Sequence, residues 1–104
     1  MKTTIDCGSL EEVRTNIDRI DRQMVSLLAE RGQYVAQAAR FKTDAQAVAA
    51  PARVEQVITR VVGLARELGA DVEVVERVYR AMISAFIDAE LSEHARLRVG
   101  AERD

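Results

Sequence analysis

The sequence predicts an all-α fold of three helices, one long at the N-terminus and two shorter. Three observations predict it. Apolar residues recur at steps of three and four along most of the chain, the spacing of one helix face. The 104 residues include 1 proline and 5 glycines, so few positions break a helix. Capping signals fall where the periodic runs begin and end.

Helix one is expected over residues 9–42. Ser9 and Glu12 form a capping box, each side chain able to satisfy a free N–H. The stripe Leu10, Val13, Ile17, Ile20, Met24 and Leu27 follows without a breaker. Gly32 interrupts it only weakly, at about 1 kcal/mol relative to Ala. The segment TDAQAVAAP, 43–51, loses the pattern and is expected to be a loop. Pro51 suits the first turn of helix two, expected over 51–68. Its buried face is Val54, Val57, Ile58, Val61, Ala65 and Leu68, and Gly69 follows as a C-terminal cap. Asp71 caps helix three, expected over 71–97, with Glu73 and Glu76 where the helix dipole favours negative charge. The stripe of this helix is Val72, Val75, Tyr79, Met82, Ile83, Phe86, Ile87 and Leu91. The tail RVGAERD is expected to fray. No internal repeat is visible, and 1–104 is expected to be a single domain.

Length adds a constraint. One helix over 9–42 spans roughly 50 Å. A compact chain of this size has a radius of gyration of about 13 Å. Such a rod exposes its apolar stripe in a single copy, so an intertwined homodimer with paired long helices is expected.

The net charge of −2 does not mark a nucleic-acid binder, so any anion site must be a local cluster. No apolar run reaches the ~20 residues of a membrane span. The start MKTTIDCGSLEE lacks a signal-peptide core. Cys7 is alone, which excludes an internal disulfide and suits a reducing, cytoplasmic compartment. Cys7 itself reads as incidental. His94, the single histidine, is expected on the solvated surface. There is no metal-ligand cluster, phosphate loop or dinucleotide fingerprint.

Charges on the apolar faces carry the chemistry. The stripe of helix one continues through Arg31, Val35, Ala38 and Lys42, so Arg31 and Lys42 share a face three turns apart. On helix three the row Tyr79, Ile83, Phe86 leads to Glu90. Buried charges cost several kcal/mol unless paired. Three readings are open: Glu90 bridges to Lys42 or Arg31, the long side chains reach out to water, or the cations line a pocket for an anion. Arg14 flanks the same stripe, but its distance from Arg31 along the axis is roughly 25 Å. No small ligand spans that within one helix. In an antiparallel pair, Arg14 of one copy approaches Arg31 and Lys42 of the other. Aligned cations in an apolar cavity suit a small dicarboxylate. A reaction without a nucleophile is accelerated there by fixed conformation and stabilised developing charge. The alternative of another class is a non-catalytic helical dimerisation module, which the steps from Leu10 to Leu27 support.

These residues give the chain a resemblance to a known family. The "IDRID…LLAER" of helix one, the "FK" at 41 and 42, and an acidic or amide residue late in helix three resemble the all-helical, AroQ-class chorismate mutases over nearly the whole length. The resemblance implies conversion of chorismate to prephenate, a [3,3] rearrangement, with no cofactor. It implies that Arg14 of a partner chain and Arg31 bind the two carboxylates. Lys42 would hold a carboxylate and the ether oxygen, and Glu90 would face that oxygen. Chorismate mutase is therefore the expected activity.

The alternative within the family is its isochorismate pyruvate lyase branch, which forms salicylate and pyruvate. MKTxxDC, RFK and APxRV look especially like that branch. Typical mutases follow the helix-two arginine with a Glu that contacts the substrate hydroxyl; here Arg53 is followed by Val54. Many relatives carry Gln at position 90. Glu90 is expected to hold a proton part of the time, with activity falling as pH rises and Glu90→Gln flattening the profile.

Overall fold

The computed structural model describes residues 4–42 and 44–103, with the side chains of Gln46, His94 and 97–103 left aside. The expectation for His94 lies outside the described residues. The chain is all-α: α1 (Leu10–Ala39), α2 (Ala45–Ala49), α3 (Pro51–Leu68) and α4 (Val72–Arg103). It divides into two units, Met1–Val35 and Ala36–Asp104.

The first unit is built on α1. The Glu12 amide donates to Ser9 Oγ at 3.1 Å, and Glu12 Oε2 accepts from the Gly8 amide at 3.0 Å. The expected capping box therefore forms, with its return bond one residue earlier than the cap itself. No residue of α1 is buried. Its apolar stripe is open: Leu10 and Leu27 are 61% and 63% exposed, and Val13, Ile17, Ile20 and Met24 lie between them in the same state.

The second unit has a core between α3 and α4. Val57, Ile58 and Val61 of α3 are buried with Ile83 of α4, and Val54, Val62, Val75, Tyr79, Met82 and Ile87 pack around them. All of these except Val62 are i, i+3, i+4 positions of the two expected stripes. Leu68 departs from expectation at 70% exposure. It lies in the last turn of α3, where Gly69 takes φ 73° and the Ala70 amide closes on the Ala65 carbonyl at 2.8 Å. That left-handed cap turns the chain into α4. Asp71 caps α4 as expected, its Oδ1 accepting from the Val74 amide at 3.1 Å.

Three boundaries differ from the sequence reading. Helix one ends at Ala39 rather than 42; the Arg40, Phe41 and Lys42 amides instead bond the Gln37, Ala38 and Ala39 carbonyls, a tightened last turn. The expected loop contains α2, because Asp44 Oδ1 accepts from the Ala47 amide at 2.8 Å and caps the helix-favouring run AQAVA. The last helix runs to Arg103, past its expected end near 97 and through the tail expected to fray. No proline stops it, and Gly100 alone costs about 1 kcal/mol.

A surface clamp joins α3 to α4. Arg80 Nη1 and Nη2 donate to the two Glu55 oxygens at 2.9 and 3.0 Å, and Nε donates to Glu76 at 3.0 Å. Hydrogen bonding from Arg80 holds the Glu55 carboxyl below the usual carboxylate range. A carboxyl with a lowered folded-state pKa stabilises the fold above its unfolded value, and that contribution is lost as pH falls through the lowered one. Urea unfolding should therefore find Glu55→Gln less stable than wild type at about pH 7, the gap closing in acid. The gap will be modest, because all three side chains are solvated.

Candidate active site

Lys42 and Glu90 meet in the second unit. Lys42 Nζ donates to Glu90 Oε2 at 3.2 Å and to Oε1 at 3.4 Å. The Glu90 side chain is 9% exposed and that of Lys42 26%. For Lys42 and Glu90, the structure shows the bridge. A pair this far out of water persists because each ion compensates the other.

The partners are positioned differently. Glu90 sits on α4, two turns beyond the buried Ile83. Lys42 stands outside any helix, between α1 and α2. Two neighbours place it. The tightened turn anchors its amide to the Ala39 carbonyl at 3.2 Å. Beyond it, α2 packs on α4, with Val48 only 3% exposed. Asp44 and Val48 thus help to place Lys42, although the sequence reading assigned them no role. The usable signal was Asp44 three residues before Ala47, a helix-cap spacing ahead of an alanine-rich run. Ala50 joins α2 to α3 in a left-handed conformation, φ 35° and ψ 64°, unusual for a residue with a Cβ.

Arg14 and Arg31 both lie on α1 in the first unit, Arg14 exposed and Arg31 half-buried. Their spacing along one continuous helix is roughly 25 Å, so a small ligand touching both must draw them from different copies. Arg53 is exposed and Val54 half-buried on the first turn of α3. Among the described residues, no group of three or more His, Cys, Asp or Glu side chains is arranged to hold a metal ion. No described helix is long and apolar enough to cross a membrane.

Residues 13–91 match the family model for chorismate mutase type II, and the chain belongs to that enzyme family. Within it, the chain is similar to an isochorismate pyruvate lyase from Pseudomonas aeruginosa. The two are 39% identical over 87 residues, which is 84% of this chain and 86% of the relative. That likeness backs the lyase alternative better than the mutase reading.

Proposed function

We propose that the protein is an isochorismate pyruvate lyase, with chorismate mutase as a second activity of the same pocket. Likeness to the Pseudomonas aeruginosa lyase carries the choice between them. Val54 supports it: the mutase pattern calls for a glutamate after Arg53, and valine offers no contact to a hydroxyl. The position of that hydroxyl is what distinguishes chorismate from isochorismate.

The chemistry needs little from the protein beyond charge and shape. In isochorismate the bond between ring and ether oxygen breaks, and a ring hydrogen moves to the side-chain methylene. The ring becomes salicylate and the side chain becomes pyruvate. Negative charge grows on the ether oxygen as the bond breaks. An ammonium held at that point stabilises the transition state more than the ground state. Lys42 has this role, and Glu90, paired with it, holds the ammonium in place. Arg31 and the Arg14 of a second copy hold the two carboxylates and fix the reactive conformation.

The open stripe of α1 supports a second copy. An apolar row from Leu10 to Leu27 is too extensive to leave in water, and a second copy of the same row is its natural cover. Two-fold pairing brings Arg14 of one copy toward the Lys42 end of the other and makes two equivalent sites.

Giving purified protein each substrate separately tests the assignment. Salicylate and pyruvate in equal amounts from isochorismate, at a higher kcat/KM than prephenate from chorismate, is the expected result. The reverse order makes the protein a mutase first. No turnover of either leaves the helical dimerisation module.

A further inference from the structure

We propose that Glu90 is an internal competitor for Lys42: in the empty protein its carboxylate occupies the ammonium that an anionic ligand must take, and tethers the Lys42–Ala49 segment to α4. The proposal rests on the dicarboxylate pocket above for its ligand, but not for the tether.

The geometry is that of a carboxylate already bound. Both Glu90 oxygens lie within reach of Lys42 Nζ, at 3.2 and 3.4 Å, as the carboxylate of a ligand would. Glu90 is the better fixed of the two, being on a continuous helix and nearly out of water. Lys42 is on a connection, and a lysine stem has freely rotating bonds. Thus Glu90 sets where the ammonium points. A ligand carboxylate arriving there meets a cation whose charge is already compensated, beside an anion that repels it. Glu90 therefore weakens anion binding while it keeps the cation in place.

The tether follows from the same contact. Three features hold the segment: the Lys42–Glu90 pair, the buried Val48, and the Asp44 cap that bonds the Ala47 amide. Removing the charge at position 90 leaves two of them. The strained Ala50 lies at the far end of the segment.

Glu90→Gln keeps the size and a polar head while removing the charge. Calorimetry with isophthalate, a stable dicarboxylate, should find it bound about tenfold more tightly by Glu90→Gln than by wild type. Hydrogen exchange on the empty proteins should find the Ala47 and Val48 amides faster in the variant, with the Val57–Ala65 amides of α3 unchanged. Binding that is equal or weaker in Glu90→Gln overturns the competition. Equal exchange at Ala47 and Val48 overturns the tether. Faster exchange across α3 as well means the variant has loosened the whole unit and also overturns it. If neither protein binds isophthalate, the pocket assignment and the competition fail together, while the exchange comparison still decides the tether. Should Glu90→Gln fold poorly, Glu90→Met, of similar length and uncharged, gives the same two readouts.

Discussion

Lys42→Ala should lower kcat/KM for isochorismate by about 10²–10³-fold, the usual loss when one preorganised group is withdrawn from a developing oxyanion. Most of the loss should fall on kcat, because the charge on the ether oxygen exists only in the transition state. Lys42→Arg should not restore the rate. The guanidinium is broader than an ammonium and binds carboxylates as a fork, so it would settle on Glu90 with two parallel bonds. The substitution to Ala also leaves the Glu90 carboxylate, 9% exposed, without its cation. Some stability should go with it, and circular dichroism at the assay temperature must show the helices intact. A Lys42→Ala enzyme that is folded and turns over within a few fold of wild type would remove Lys42 from the chemistry.

If two copies pair along α1 as proposed, Ile17→Glu should convert the dimer into a monomer and abolish turnover. Ile17 is 50% exposed in one copy and central to the α1 row. Two-fold pairing puts the new carboxylate in the seam twice, and each costs several kcal/mol when taken out of water without a partner. Every 1.4 kcal/mol is a factor of about ten, so the dissociation constant should rise at least about a thousandfold. Sedimentation velocity reads the mass, and turnover should vanish with the dimer. The α3–α4 core, which Ile17 does not join, should keep its helical signal. A dimeric, active Ile17→Glu protein would place the interface elsewhere.

The parts of the fold legible in the sequence are those governed by local rules. Ser9, Gly69 and Asp71 cap helices by chemistry within four residues, and all three act as caps here. Val57, Ile58, Val61 and Ile83 are buried because apolar spacing fixes a helix face whatever lies opposite. Helix α2 escaped because five residues are too few to display a period. The end of α4 escaped because polar, helix-favouring residues carry no periodic signal either. Leu68 shares the stripe of α3, but a periodic pattern cannot tell a face that meets α4 from one that runs past it.

The candidate site was legible in a similar way. A charge on an apolar stripe is conspicuous, so Arg31, Lys42 and Glu90 stand out in the sequence. That Glu90 takes Lys42 depends on where the α1–α2 connection carries Lys42, and no pattern within one helix encodes that. In the proposed pocket, the preference between mutase and lyase would turn on how Arg53, Val54 and their neighbours meet one hydroxyl, a difference of a single contact. The sequence alone favours the mutase, and likeness to the Pseudomonas aeruginosa lyase backs the other branch better.

Mixing two inactive variants tests the shared site most directly. Arg14→Ala and Lys42→Ala chains, each inactive alone on isochorismate, are unfolded together in equal amounts and refolded. Half of the dimers should be hybrids, and each hybrid has one site with both lesions and one with neither. About a quarter of wild-type turnover should return. A mixture as inactive as its parents, from chains shown to exchange, would mean that Arg14 and Lys42 serve the same site from one copy, and the account of a pocket completed by a second chain would be wrong.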